Sequence, residues 1–172
     1  MNAINFDAAT DRKTVFEKTE SFIKNQGLTI TSKDENRPWG GFLVIDEKDA
    51  EIFIERFFPQ LTKENLIGSG KLSPKILIVA PGSRLSWQYH HRRAELWQLI
   101  GGEAGVTTSD TDEEKNTENL SYDHIKRLKC GERHRLLGLK DWGIVAEIWQ
   151  HTDPEQPSNE DDIVRVQDDF GR

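Results

Sequence analysis

The sequence predicts a mainly β fold, a small antiparallel barrel or sandwich with helices ahead of it, and three observations carry that prediction. From Lys75 onward, short apolar or alternating runs recur between glycine and polar turns, the texture of antiparallel strands stacked on one another. Ahead of them Val15, Phe16, Phe22 and Ile23 stand among charges and the run stops at Gly27, as an amphipathic helix with a C-terminal glycine does. The length of 172 residues suits one good core and is too short for two ordinary domains.

Taken in order, a helix is expected over residues 10–26, followed by a polar connection through Asp34 to Arg37. The run Gly-Gly-Phe-Leu-Val-Ile-Asp at 40–46 suits a short strand, and a second helix is expected from Lys48 to Phe58, ended by Pro59. Strands are then expected at 75–80, 85–91, 94–100, 103–108, 124–129, 134–137, 143–150 and 163–166. The segment 109–119, SDTDEEKNTEN, is acidic and lacks large apolar residues, which predicts a solvated, mobile loop. Residues 152–159, rich in Pro, Ser and Asp, are expected to deliver the tail back to the body. The division this implies is a helical extension, 1–34, packed on a β domain, 35–172.

A net charge of −7 and a pI near 5.3 argue against sequence-independent binding to nucleic acid or to anionic membrane, both of which need a cationic surface. Yet Arg84, Arg92, Arg93, Arg127, Arg133 and Arg135 fall within one stretch, so a local cationic pocket for a small anion stays in play. The lone Cys130 excludes an intrachain disulfide, and the N-terminus lacks the basic start and apolar run of a secretion signal, so a cytoplasmic location is expected. No apolar stretch approaches the roughly 20 residues that cross a bilayer.

The informative passage is PGSRLSWQYHHRRAELWQLIGG, residues 81–102. On a strand Gln88 and His90 share one face while Trp87 and Tyr89 take the other. After a short turn the next strand offers Glu95, and His134, following the turn Cys130-Gly131-Glu132-Arg133, could supply a fourth donor. Two nitrogen and two oxygen donors without thiolate suit one divalent ion such as Zn²⁺, Ni²⁺, Co²⁺, Fe²⁺ or Mn²⁺ better than Ca²⁺. Taken singly, each of these side chains is more often a surface or hydrogen-bonded residue than a ligand.

The spacing Gly82, Gln88-x-His90, Glu95, Gly102 resembles the first motif of the cupin superfamily, with glutamine in place of the first histidine. The wording LSWQYHHRRAELW, EIWQ at 147–150, EDDIVRVQDDFGR at 160–172 and Arg37-Pro38-Trp39-Gly40 is similar to the cupin domain of type II mannose-6-phosphate isomerases, over roughly residues 35–172. Small stand-alone proteins of this texture are sometimes labelled phosphoheptose isomerase. The resemblance implies a jelly-roll (double-stranded β-helix) barrel and the ligand set Gln88, His90, Glu95 and His134. Lys129 and Gly138 depart from the second cupin motif, which puts the pocket wall in doubt and leaves the metal histidine in place. No glycine-rich nucleotide loop precedes residue 35, so guanylyl transfer is not expected.

The implied reaction is a metal-dependent aldose–ketose isomerisation of a sugar phosphate, of the mannose 6-phosphate/fructose 6-phosphate type, through a metal-stabilised enediol. By resemblance Arg37, Arg165 and Arg172 would grip the phosphate, the alternative for the last two being surface ion pairs with Asp161, Asp162, Asp168 or Asp169. Glu147 is a candidate base, because alternation along 144–149 sets Val145, Glu147 and Trp149 opposite Ile144, Ala146 and Ile148. The competing reading is a buried carboxylate paired with an arginine such as Arg135. Arg93 is a candidate electrophilic partner. Of the five tryptophans, at least three are expected in the core. A non-catalytic cupin that binds a sugar or sugar nucleotide, or another cupin reaction such as epimerisation or dioxygenation, is the alternative. Pairing of exposed strands makes a homodimer an expectation as well.

Overall fold

The computed structural model describes residues 4–66 and 70–171. Asp11 caps the first helix, its carboxylate accepting from the Thr14 backbone N–H at 3.0 Å, and α1 runs Arg12–Asn25. Val15, Phe16, Thr19 and Ile23 form its buried face, and Gly27 then turns the chain at a positive φ of 83°. The second helix, α2, spans Ala50–Phe57 after a 3₁₀ turn at Glu47–Asp49, and it buries Phe53, Ile54 and Phe57.

Among the described residues nine strands follow in chain order, β1 Ile30–Arg37, β2 Gly40–Ile45, β3 Lys75–Val79, β4 Trp87–Tyr89, β5 Arg93–Ser109, β6 Glu118–Asn119, β7 Lys126–Leu128, β8 Arg133–His151 and β9 Val164–Gln167. Every pairing is antiparallel. Two very long strands, β5 and β8, lie side by side for nearly their whole length, from Arg93↔His151 to Ser109↔Arg133. The C-terminal half of β8 also pairs with β3, which continues to β2 and β1, while its N-terminal half pairs with β4, which continues to β9. One curled ribbon thus belongs to both walls of a jelly-roll barrel.

Three expectations are corrected by this arrangement. Residues 94–100 and 103–108 are one strand, because the chain bulges between Leu99 and Ala104 without leaving the ladder. Gly102 permits that bulge: its φ is 60°, and a Cβ there would stand 1.8 Å from the Trp142 carbonyl oxygen. Residues 134–137 and 143–150 likewise join as β8. Asp34 to Arg37, expected as a connection, belongs to β1, an edge strand whose polar composition matches its largely exposed side chains.

Alternation sorts the apolar side chains into two layers. Ile76 and Ile78 of β3 and Ile144, Ala146 and Ile148 of β8 face the helices, joining Phe16, Phe53 and Phe57 in the larger cluster. Leu77, Val79, Val145, Trp97 and Leu136 point into the barrel with Trp39. β3 is therefore buried on both faces, which is why it reads as an unbroken apolar run. All five tryptophans are buried.

Candidate metal centre

His90, Glu95 and His134 meet inside the barrel, all buried, with one donor atom from each lying within 4.8 Å of the others. Their strands explain the meeting. His90 follows β4, Glu95 faces inward on β5 with Trp97, and His134, the second residue of β8, stands opposite Gln88 in the β4 register. Each imidazole is fixed from behind by a backbone carbonyl, His90 Nδ1 at 2.6 Å from Asp162 O and His134 Nδ1 at 2.9 Å from Glu132 O. A carbonyl only accepts, so Nδ1 carries the proton in both rings and Nε2 is the atom turned toward Glu95.

The two edges of the Glu95 carboxylate differ. Oε1 accepts from Arg93 Nε at 2.8 Å, and Arg93 Nη2 lies 3.1 Å from His90 Nε2, so one guanidinium serves the acid and the first histidine together. Oε2 lies 3.4 Å from His134 Nε2, and neither of these buried atoms has a hydrogen-bond partner among the described residues. Two acceptors facing each other repel unless something positive stands between them. A proton or a divalent cation would resolve that, and the donor chemistry fits an ion of the zinc, iron or manganese kind.

The charge states agree with that geometry. Burial tends to raise the Glu95 carboxyl, but the charges of His90 and Arg93 hold it well below the usual carboxylate range. Burial pushes the His90 imidazole down, and Glu95 only partly offsets this. His134 is also disfavoured as a cation by burial, but the adjacent Glu95 carboxylate outweighs that and lifts it. In the absence of a metal, His134 is thus where a proton would collect.

Gln88, the remaining expected donor, lines the same cavity of about 180 Å³ as Glu95 and Glu147, and its Oε1 accepts from Ser86 Oγ at 2.6 Å. Glu147 does lie inside the barrel, as alternation predicts. Its two oxygens accept from the indole N–H groups of Trp97 and Trp149, each at 3.0 Å. Burial, then repulsion from Glu95, pushes its carboxyl up to about 7. The pairing of Glu147 with Arg135 does not occur: Arg135 lies under the 109–119 loop, bonded to Glu114 and to Leu85 O. Adjacent strand residues face opposite ways, so His134 turned inward sends Arg135 outward.

Arg93 is locked by more than Glu95. Its Nη1 donates to Ser158 Oγ at 2.8 Å and Asn159 O at 3.0 Å, and its guanidinium lies 3.7 Å from the Trp149 ring centre. Arg37 and Arg165 both line the cavity, Arg37 also pairing with Asp34 at 2.7 Å. Arg172 lies outside the described residues. Of the aspartates expected near the tail arginines, Asp162 accepts from the backbone N–H groups of His91 and Arg92, and Asp169 pairs with Arg84. Sequence reasoning missed Lys75, which is buried in the cavity wall beside Trp149, because a lysine opening an apolar run reads as a strand end.

The family described as mannose-6-phosphate isomerase C-terminal matches residues 48–168. The chain belongs to this family. A mannose-1-phosphate guanylyltransferase of Salmonella montevideo is 29% identical over 168 residues, covering 98% of this chain and 29% of that protein. The xanthan biosynthesis protein XanB of Xanthomonas campestris is 31% identical over 164 residues, 94% of this chain and 29% of its own length. The chain therefore spans under a third of those relatives. Among solved structures, oxalate decarboxylase from Bacillus subtilis superposes with a TM-score of 0.54 at 16% identity, over 78% of this chain and 30% of that one. The capsular polysaccharide assembling protein CapF from Staphylococcus aureus gives 0.53 at 14%, over 82% and 34%. At such identities the likeness concerns the fold, which is that of the cupins. Among the described residues, no helix is long and apolar enough to cross a membrane.

Proposed function

We propose that this cupin domain is a metal-dependent sugar-phosphate isomerase that interconverts an aldose and a ketose phosphate of the mannose 6-phosphate/fructose 6-phosphate type. The observation that carries the reading is the placement of Glu147 on one small cavity with Glu95, the carboxylate that the buried His90 and His134 face, in a chain of the mannose-6-phosphate isomerase C-terminal family. His90, Glu95, His134 and Gln88 would hold a divalent ion, which when bound supplies Lewis acidity toward carbonyl and hydroxyl oxygens.

The chain's own groups account for the remaining work. Isomerisation moves a proton between adjacent carbons, which needs a base that is neither fully ionised nor fully protonated near neutrality. Glu147, pushed up to about 7, meets that need. The two indole donors orient its carboxylate and stabilise its charged form without adding a competing base. Arg93 keeps Glu95 ionised, and Arg37 and Arg165 offer the planar N–H arrays that suit phosphate oxygens. Trp39, Trp97 and Trp149 give the cavity an apolar wall that limits water around the exchanged proton.

The test is a coupled isomerase assay with mannose 6-phosphate and fructose 6-phosphate on protein stripped of metal, then reloaded in turn with Zn²⁺, Mn²⁺, Co²⁺, Ni²⁺ or Fe²⁺. Turnover that depends on metal and is lost in Glu147→Gln is the expected result. Tight binding of the sugar phosphate with no turnover under any loading would replace this reading with a binding role.

A further inference from the structure

Lys75 is a buried cation for which the proposed chemistry has so far given no use. It opens β3, in register with Glu147 on β8 and Val44 on β2. Its side chain is only 7% exposed, and its ammonium lies 3.8 Å from the Trp149 ring centre and 5.6 Å from that of Phe42. Its carboxylate partner is Glu160, which stands on the connection between β8 and β9 with a side chain 68% exposed. Arg37 approaches the same Phe42 ring from its own position, also at 5.6 Å.

The pair also stands on a boundary. Lys75, Trp149 and Glu160 line the metal-side cavity and, equally, a second cavity of about 320 Å³ whose far wall includes Thr31, Asp46 and Lys71. One member of the pair can give way and the other cannot. Lys75 is fixed between two aromatic faces on a central strand, whereas Glu160 is held from a connecting segment and keeps most of its side chain in water. An ion pair with one solvated partner is weak, and a phosphate brings more charge and more acceptor oxygens than a carboxylate.

We propose that Lys75 docks the anion at this site alongside Arg37 and Arg165, and that Glu160 is the resident occupant of Lys75, displaced when the phosphate of a sugar phosphate binds. Displacement opens the boundary between the two cavities, so the phosphate end of the ligand sits at Lys75 while the sugar lies toward Glu147 and the metal ligands. This rests on the sugar-phosphate reading above, and adds where the anion binds and what competes for the place.

Calorimetric titration of the full chain with mannose 6-phosphate, inorganic phosphate and unphosphorylated mannose tests it, comparing the native protein with Glu160→Gln and Lys75→Gln. Removing the competing carboxylate is expected to tighten both phosphates by about threefold to tenfold, and removing the ammonium to weaken them by about tenfold or more. Mannose affinity is expected to change in neither variant. Should Lys75→Gln fail to fold, Glu160→Gln still decides, because a merely disruptive substitution does not tighten binding. Phosphate affinities unchanged or weakened in Glu160→Gln would overturn the proposal and leave the sugar-phosphate reading standing. Absence of binding by any phosphate to any of the proteins would overturn both.

Discussion

His90 and His134 each spend Nδ1–H on a backbone carbonyl and aim Nε2 at the same carboxylate, so neither ring is free to turn away. Replacing either by alanine is expected to reduce bound metal to background after dialysis, measured by elemental analysis, with an unchanged β-type circular dichroism spectrum. Arg93 has a different role, because Glu95 is 2% exposed and this guanidinium is the cation beside it. Arg93→Ala leaves a buried carboxylate uncompensated, and a loss of roughly 3–5 kcal/mol is expected from urea unfolding of the metal-free protein. Glu147 gives a pH signature of the opposite sense. Its carboxyl rises from 4.5 to about 7 on folding, so between those values the folded state binds the proton more tightly and stability falls as pH rises. Native protein is therefore expected to match Glu147→Gln in relative melting temperature near the acid end of that window and to fall behind it toward pH 8. A constant difference across the window would show that Glu147 does not titrate there.

At the scale of elements, the strands whose apolar residues all serve one purpose were legible in the sequence, and those that bend were not. β3 and the C-terminal half of β8 show their burial directly, as runs whose aliphatic residues pack alternately into one layer or the other. β5 looks like two strands in sequence because Gly101 and Gly102 resemble a turn, yet they are the bulge that lets one strand serve both walls. The positions of the candidate donors were legible for a related reason: strand alternation sets Gln88 and His90 on one face without knowledge of any loop. Lys75 and the Ser158, Asn159 and Asp162 contacts to Arg93 were not, since they depend on where a polar connection returns in space. The 109–119 loop also departs from its composition. Trp87 donates to Asp112 O, Arg133 pairs with Asp112, and Glu114 holds the fully buried Arg135. Glu114→Ala is expected to destabilise by about 1–3 kcal/mol, far more than an exposed acidic residue usually contributes, because it strands a buried guanidinium. A denaturation midpoint within error of the native value would return the segment to the status of a solvated loop.

For the molecule as a whole, these local arrangements predict a barrel that folds without metal and gains stability with it. The helices and the outer sheet faces form one apolar layer and the barrel interior a second, and neither includes the metal donors. Arg93 already supplies half of what the cluster lacks, so the metal-free state carries one unresolved contact, between Glu95 Oε2 and His134 Nε2. A ligand present at a hundred times its dissociation constant stabilises by about 2.7 kcal/mol, which for a domain of this size raises the melting temperature by roughly 5–10 °C. A chelator is accordingly expected to lower the melting temperature by that amount while leaving a single cooperative transition. His134→Ala abolishes the shift and leaves the transition. If the chelated protein lost its transition altogether, the metal would be a structural element of the fold, and the two apolar layers would be insufficient to hold the barrel closed. If it showed no shift, the contact between Glu95 and His134 would be answered by a proton on the imidazole, the outcome that the raised affinity of His134 for a proton also permits.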